Sequence, residues 1–309
     1  MPLSLILDSL VRSLQTGSLY ALMALGLTLT MAVIRLPNFA HAELITIGAY
    51  IALVVSTFMT NSLPMILILA FLGSALVAVL SNRLVYRPLS HLNLSTYTII
   101  LASFAVGLIL RYLLFFVVDY FDFFDKAVQV KQQVVVRNPN LILTNIFFWS
   151  VPTAILLMIA LSLILNRTDL GRQMRALADN VTLARVIGIP VDRVHDVTWI
   201  LVGGLAGVGG ALFGIYTTVN PLMGWYTLLS IFAATVLGGM TSFVGTILGA
   251  FVVSFSENLL MQWLNFQFGL DFSFKPAVPF IIIILVLLFR PQGLTGLSAS
   301  LPRLRGKTS

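Results

Sequence analysis

Long apolar blocks separated by short polar segments run through almost the whole chain. A helix that spans a bilayer needs about 20 mostly apolar residues. These blocks are apolar on all sides, so their length and flanking charges identify them rather than a helical period. The pattern predicts an all-α polytopic membrane protein forming one transmembrane domain over residues 1–309. About eight hydrophobic segments are predicted, at 14–34, 44–59, 63–80, 98–118, 141–165, 197–217, 228–264 and 277–289.

Two clusters of polar or glycine residues interrupt this pattern. The block 228–264 is too long for one ordinary span and contains Gly238 and Gly239, whereas Asn38 and His41 interrupt the region before residue 44. Non-helical backbone at membrane depth is tolerated only against protein or a water-filled cavity. We therefore predict broken helices near Asn38 and Gly239, which gives nine crossings if 228–264 forms two limbs. Paired interruptions of this kind are typical of transporters built from internal repeats.

The placement of lysine and arginine predicts the orientation of the chain. Basic residues concentrate in the loops 81–93 and 166–196 and in the tail after Arg290, which the positive-inside rule places in the cytoplasm. The loop 119–140 balances acids against bases, and alternation places it outside, where its VQVKQQVVV run is expected to form a short strand pair. The apolar N-terminal stretch is expected to be a retained helix, with the N-terminus outside.

Composition strengthens the membrane interpretation. Of 309 residues, 59% are hydrophobic and only 9% are charged, with a mean hydropathy of +1.00, whereas soluble domains have about 25% charged residues. The net charge of +7 lies in short loops, so it fits membrane orientation better than nucleic-acid binding. There is no cysteine, which excludes disulfides, thiolate metal sites and cysteine nucleophiles.

Motifs for catalysis are missing from the sequence. It has no HExxH, GxSxG or Walker A pattern, and its three histidines lie far apart. We therefore expect no enzyme activity, no metal site and no cofactor bound by this chain. An energised transporter of this kind would need a separate ATPase.

Polar residues at 37–43 form the first constellation that carries chemistry. Asn38 and His41, and likewise Ala40 and Glu43, have the i,i+3 spacing of one helix face. Ionisable groups beside a membrane span are costly unless they face a polar cavity or each other. Two interpretations stay open: this break lines a translocation pathway or fixes its gate, or it is an interfacial turn that caps the next helix.

Two further ionisable residues lie within predicted spans. Glu257, near Ser254 and Asn258, is expected either to pair with a pathway group or to lie in water at the inner surface. Arg111 is expected to extend its guanidinium toward the outer end of its span.

The segment 168–195, TDLGRQMRALADNVTLARVIGIPVDRVH, is the longest polar stretch between apolar blocks. Its spacing predicts an amphipathic helix that ends at Gly188-Ile189-Pro190. Together with this turn it predicts a short amphipathic helix-turn-helix, which can lie flat on the inner leaflet or dock into a groove on a soluble partner, and its length and tight turn favour docking. The charged face is formed by Arg172, Arg175 and Asp179, and the apolar face by Met174, Leu177, Val181 and Ala184.

Four stretches together resemble the LivH-like permease subunits of branched-chain amino acid ABC importers. They are LPNFAHAELITIGAYIAL (36–53), LGRQMRALADNVTLARVIGIPVDRV (170–194), NPLMGWYTLLSIFAATVLGGMTSFVGTILGAFVV (220–253) and RPQGLTG (290–296). The resemblance covers nearly the whole chain and implies one transmembrane half of an ATP-driven importer in a bacterial-type inner membrane. It also implies a second, related permease as a heterodimer partner, two ATPase subunits that use the ATP, and an extracytoplasmic substrate-binding protein.

The resemblance also assigns roles by position. Residues that match the cytoplasmic motif coupling to the ATPase are Gly171, Arg172, Arg175, Ala176, Asp179 and Gly188. Residues that match the NFAHGE and VLGG motifs, and are implied to form the pathway or gate, are Asn38, Ala40, His41, Glu43, Gly238 and Gly239, to which the buried acid Glu257 is added. Ala42 departs from the usual glycine, and Ser230 stands where many members carry lysine.

The leading hypothesis is a permease for branched-chain or other neutral amino acids. A urea or short-amide importer is the close alternative, because related permeases share the same motifs. A self-sufficient channel or ion-coupled carrier is a different class, which would need no coupling helix.

Overall fold

The computed structural model describes residues 1–35, 37–92, 95–138, 141–290 and 292–294. The predicted basic tail residues Arg303, Arg305 and Lys307 lie outside this range, as do Leu36 and the end of the RPQGLTG stretch. The α-helices are α1 (Leu3–Leu29), α2 (His41–Phe58), α3 (Leu63–Ser81), α4 (Arg87–His91), α5 (Thr96–Tyr120), α6 (Asn145–Arg167), α7 (Asp169–Asp179), α8 (Val181–Val186), α9 (Val191–Tyr216), α10 (Met223–Gly238), α11 (Phe243–Phe255), α12 (Met261–Phe268) and α13 (Ala277–Phe289).

Short elements of other kinds extend or connect these helices. Three π-helical turns, Thr30–Ile34, Asn82–Tyr86 and Ser256–Leu260, extend α1, α3 and α11, and a 3-10 turn covers Phe272–Phe274. Strands β1 (Val134–Asn138) and β2 (Leu141–Thr144) pair antiparallel. The predicted strand pair therefore forms beyond residue 133, and β2 occupies the start of a block that was predicted to be helical.

Eight helices of the described chain are long and apolar enough to cross a membrane, and the shorter apolar helix α10 makes a ninth element. The prediction of an all-α polytopic membrane protein is confirmed. The first span begins at Leu3 rather than residue 14, and the third continues to Ser90. The long spans are Leu3–Ile34, His41–Phe58, Leu63–Ser90, Tyr97–Tyr120, Asn145–Arg167, Val191–Tyr216, Phe243–Phe268 and Phe272–Phe289.

Three spans form the centre of the bundle. The most apolar windows of Leu3–Ile34 and Val191–Tyr216 are each 83% buried, whereas those of Tyr97–Tyr120 and Phe272–Phe289 are 17% buried. Glycine permits the central contact: a Cβ added to Gly48 of α2 would lie 2.3 Å from the carbonyl oxygen of Gly207 in α9. Small residues at such positions let helix backbones approach closely, which is how helices associate in lipid.

The helices run between two ends of the bundle. One, which we call the arginine end, carries Arg83 and Arg87, whose guanidinium groups pair with Asp196 and Asp192 at the start of α9. The other, the hairpin end, carries the β1–β2 pair and the segment 217–222, where Val219 bonds to the backbone of Lys126. The arginine end carries the arginine-rich loops 81–93 and 166–196, and the hairpin end carries the loop 119–140, in which acids and bases balance.

The predicted breaks occur, and a third accompanies them. Residues 35–40 separate α1 from α2, and residues 239–242 separate α10 from α11. Residues 217–222 separate α9 from α10 between two predicted spans, and Gly224 at the start of α10 packs against Ala42 at the start of α2. Two helices thus begin beside each other in the interior of the bundle.

The break at Gly239 is a turn between two packed helices. Gly239 has φ +100°, which favours glycine, and a Cβ added to Gly238 would lie 2.4 Å from the backbone nitrogen of Thr246 in α11. The chain after α13 returns to this turn, because the backbone N–H of Leu294 donates to the carbonyl oxygen of Leu237 (2.7 Å). Gly293 and Leu294, in the stretch that begins at Arg290, are therefore neighbours of the turn at 238–239.

Candidate functional site

The first break is held by buried polar contacts. Asn38 is fully buried, and its Oδ1 accepts hydrogen bonds from the hydroxyl of Tyr86 (3.1 Å) and the backbone N–H of Ala40 (3.1 Å). Its amide nitrogen has no partner among the described residues. Asn38 therefore closes the turn before α2 inside the protein, while the helix α2 itself has no side-chain cap.

His41 connects the start of α2 to the middle of α1. Its ring is fully buried, and Nε2 lies 2.8 Å from the carbonyl oxygen of Met23, to which it donates. Gly26 leaves room for the ring, because a Cβ there would lie 2.7 Å from His41 Cε1. The second ring nitrogen has no partner in the described part of the chain. His41 thus fixes the break against the central helix.

Glu43 forms an ion pair inside the bundle. Its Oε1 accepts from Arg111 Nε (2.9 Å) and Nη2 (2.6 Å), and the two side chains are 1% and 13% exposed. The Arg111 guanidinium also lies over the ring of Trp225, 4.4 Å from its centroid. The expectation that Arg111 extends toward the end of its span is wrong, because a buried carboxylate one helix away offers a closer partner than the aqueous surface.

Before Gly188 the polar segment folds as two helices, α7 and α8, where a single helix was predicted. Asn180 divides it, because its side chain accepts a hydrogen bond from the backbone N–H of Leu183 and so caps α8. α8 then ends at Val186, before the exposed Gly188. The predicted apolar face is buried against the bundle through Met174, Leu177 and Ala184, and Val181 is half-buried.

The residues assigned to ATPase coupling lie on α7 or just after α8. Gly171 packs so closely on α6 that a Cβ there would lie 2.1 Å from the carbonyl oxygen of Leu165. Arg172 is exposed and pairs with Asp169, and Arg175 donates to the Leu165 carbonyl. Ala176 is half-buried and Asp179 is exposed. Gly188 has φ +86°, and a Cβ added to it would have no described atom within 4 Å. Their role in coupling stays a prediction.

A side chain from the first break reaches this segment. Nη2 of Arg35 donates to the carbonyl oxygens of Ala178 (2.5 Å) and Asp179 (3.1 Å), at the carboxyl end of α7. A cation there complements the helix dipole and the unpaired last carbonyls. The backbone of Arg35 is left-handed (φ +60°), a conformation that is uncommon for residues other than glycine. The contact therefore joins the exposed arginine-bearing segment to the break directly.

A cavity of about 630 Å³ lies beside this contact at the arginine end. It brings together three regions that are far apart in the sequence: Arg35 at the first break, Arg175 and Asp179 on α7, and Ser242 at the α10–α11 turn. Of the site residues named from the sequence, Arg175 and Asp179 line this cavity, whereas Asn38, His41 and Gly239 do not, and the two breaks reach it only through Arg35 and the residues around Ser242.

Glu257 is held elsewhere, toward the hairpin end. Its carboxylate is 2% exposed and accepts from the hydroxyl groups of Ser230 (2.5 Å) and Tyr20 (3.0 Å). It therefore does not lie in water. Ser230, the position that departs from the usual lysine, is the residue that bonds to this acid. Asn258 and Ser254 continue the polar network to α1 through Thr16.

Several residues of these sites were not found from the sequence as partners. Arg111 and Tyr20 lie in apolar blocks whose faces a helical period does not separate, and Trp225 lies between two predicted blocks. The lone arginine in an apolar span was itself a signal that a buried acid must lie nearby. In the described part of the chain no group of three or more His, Asp or Glu residues is placed to hold a metal ion.

Comparison with known proteins follows the same lines. The profile of a family described as "Branched-chain amino acid transport system / permease component" matches residues 9–287. The chain is 33% identical to a probable branched-chain amino acid transport permease protein LivH of Methanocaldococcus jannaschii, over 91% of this chain and 89% of that protein.

Two bacterial relatives cover still more of the chain. It is 31% identical to the high-affinity branched-chain amino acid transport system permease protein BraD of Pseudomonas aeruginosa and 29% identical to the corresponding LivH of Escherichia coli K12. In both cases the match covers 94% of this chain and 95% of the relative. The similarity is therefore not confined to one motif or one half of the bundle.

Proposed function

Because the chain belongs to the family of permease components of branched-chain amino acid transport systems, we propose that it forms one half of the pathway of an ATP-driven importer. The substrates are branched-chain or other neutral amino acids. The chain has no ATPase motif of its own and binds no cofactor, so separate subunits bind and hydrolyse the ATP. A second, related permease completes the pathway as a heterodimer, and an extracytoplasmic protein delivers the substrate.

The orientation follows the charge. The arginine end faces the cytoplasm and the hairpin end faces outward, since loops rich in arginine are retained on the cytoplasmic side. In this orientation the chain spans a bacterial-type cytoplasmic (inner) membrane, and α7 and α8 meet the ATPase at the cytoplasmic face of that membrane. α8 and the residue after it expose Leu183, Val186 and Ile187, which are 58%, 77% and 65% exposed. Apolar side chains in an exposed patch next to arginines support docking of a protein partner.

The contact of Arg35 with the end of α7 is the structural observation that supports coupling of the ATPase to the pathway. A displacement of α7 by the ATPase would move Arg35 directly, and Arg35 begins the break that leads to Asn38 and His41. The break at 35–40 and the turn at Gly239 line or adjoin the same cavity, so both would move together. Alternating access in such proteins consists of one part of the bundle rocking against another.

The test is co-purification and uptake with the complete complex in proteoliposomes. Val186→Glu should reduce ATPase co-purification about tenfold or more, because it buries a charge at a contact. Leu92→Glu is the matched control, since Leu92 is 66% exposed at the same end of the bundle but outside α8. Arg35→Ala should keep ATPase binding and hydrolysis and lower leucine uptake about tenfold, whereas Arg12→Ala, in the exposed Asp8 pair of the same helix, should change neither.

Two results would contradict the proposal. Uptake of leucine by wild-type vesicles without ATP would indicate a channel or ion-coupled carrier. Unchanged ATPase binding in Val186→Glu together with unchanged uptake in Arg35→Ala would remove the coupling role of α7 and α8.

A further inference from the structure

A second cavity, of about 410 Å³, lies toward the hairpin end beside Glu257. It is lined by α1, the start of α10, the π-helical turn that carries Glu257, the segment 217–222 and the approach to α13. Pockets that hold small molecules have volumes of about 300–1,000 Å³. The cavity is therefore large enough for an amino acid, and it is distinct from the cavity beside Arg35.

Glu257 and Lys275 carry opposite charges and both line this cavity, where they attract each other without forming a direct ion pair. The Glu257 carboxylate accepts hydrogen bonds only from hydroxyl groups among the residues that the structure describes. Lys275 Nζ donates to the side-chain oxygen of Asn258 (3.0 Å) and has no carboxylate within ion-pair distance among the described residues. Charges in a poorly solvated site are costly unless they are paired. A ligand that carries both signs would supply the missing partner to each.

The rest of the lining fits the other parts of such a ligand. Asp125, whose carboxylate accepts from Asn220 (2.6 Å), adds a second acid at the exposed rim. Apolar side chains form the remaining wall and can contact an aliphatic side chain; they are Phe213, Met223, Tyr226, Leu229, Pro276 and Pro279. A simple anion would face Glu257 and a simple cation would face Lys275, so both are less suited than a zwitterion.

We propose that this cavity is a receiving site for a zwitterionic amino acid, whose ammonium group lies toward Glu257 and whose carboxylate lies toward Lys275. The inference rests on the proposed function for its substrate class and orientation: the hairpin end is the side on which the substrate arrives. Ser230 and Tyr20 position the Glu257 carboxylate by donating to both of its oxygens. Lys275 thereby contacts the substrate carboxylate, a role that no motif in the sequence indicates.

The test uses the assembled permease–ATPase complex in nanodiscs, without the external binding protein. Binding of radiolabelled L-leucine is measured in competition with 3-methylbutylamine, which lacks the carboxylate, and 4-methylpentanoate, which lacks the ammonium group. Each analogue should compete about tenfold or more weakly than leucine, because each loses a hydrogen-bonded charge pair.

The variants pair each protein charge with one ligand charge. Lys275→Met should weaken leucine binding and abolish the disadvantage of 3-methylbutylamine, and Glu257→Gln should do the same for 4-methylpentanoate. The controls Lys131→Met and Asp119→Asn change exposed charges on neighbouring segments and should leave all three affinities unchanged. If Glu257→Gln does not assemble, the Lys275→Met result decides the proposal alone, since Lys275 lies at the half-buried rim.

The proposal is overturned if leucine does not bind at millimolar concentration, or if the variants change the affinities of leucine and both analogues by the same factor. An equal change would indicate a structural role for the charges. ATP-driven leucine uptake by the same preparations, with the binding protein added, distinguishes a failure of this binding site from a failure of the proposed function. Uptake with unaltered analogue selectivity in the variants refutes only this site, whereas lack of uptake by the wild type refutes the proposed function.

Discussion

The two buried glutamates of this protein are stabilised in different ways. Glu43 shares its charge with Arg111, and the guanidinium in turn is covered by Trp225. Glu257 receives two hydroxyl groups, and a lysine lies near it without pairing to it. One carboxylate forms a direct ion pair within the chain, and the other is attracted by a lysine that does not bond to it.

This difference separates a structural role from a binding role. The Glu43–Arg111 pair joins α2 to α5, and its two charges offset each other within the bundle, although Glu43 Oε2 has no hydrogen-bond partner among the described residues. Glu257 lies against a cavity, and its hydroxyl partners fix its position without cancelling its charge. We therefore expect substitutions at the first site to act on stability and those at the second to act on substrate.

The largest expected effect on stability comes from Arg111→Leu. Removal of the arginine leaves Glu43 buried without a counter-charge, which should lower the free energy of unfolding by about 3–5 kcal/mol. Tryptophan fluorescence during denaturation in detergent measures it. The double variant Glu43→Leu/Arg111→Leu should recover most of the loss, and a double variant as unstable as Arg111→Leu alone would argue against the ion pair as the cause.

The comparison sharpens when each acid is changed to its amide. Glu43→Gln leaves Arg111 as an unpaired cation, whereas Glu257→Gln keeps an acceptor for Ser230 and Tyr20. We expect Glu43→Gln to destabilise the protein by about 2 kcal/mol more than Glu257→Gln does, measured by the same denaturation. Equal losses of stability would show that Glu257 is as much a structural residue as Glu43.

A smaller effect is expected from Trp225→Leu. The change removes the aromatic face over the Arg111 guanidinium, a contact that contributes about 0.5–2 kcal/mol to the free energy of unfolding. Trp263→Leu is the matched control, because Trp263 is similarly exposed and packs on Phe268, and no cation of the described residues lies over its ring. If the two variants lose the same stability, the loss reflects aromatic packing and not the cation.

The break residues show how far sequence reasoning reached. Asn38, His41 and Gly239 stood out because polar groups and glycines are conspicuous in apolar blocks, and the structure breaks the helices at these places. The separation at 217–222 lies in the loop predicted between the spans 197–217 and 228–264, but the return of this loop into the bundle, where Gly224 packs against Ala42, was not predicted. Length alone does not distinguish a loop at the surface from one that turns back into the bundle.

The polar segment shows a similar division. Its arginines and its buried apolar face follow from helical spacing, and Met174 and Leu177 are buried as that spacing predicts. The division at Asn180 depends on a capping hydrogen bond that competes with the helix. Its contact with Arg35 spans 143 positions in the sequence and depends on how α1 and α7 are placed, which no local pattern encodes.

The sequence by itself determined that this is a membrane protein, roughly where its hydrophobic segments lie, and which segment carries the exposed arginines. Transfer into lipid depends on composition summed over about 20 residues, and charge at the ends of a span is also a local property. Only the tertiary structure decided which buried charges meet. Arg111 reaches Glu43 across 68 positions and Tyr20 reaches Glu257 across 237, and helices that are apolar on every side carry no periodic signal of the faces that pack together.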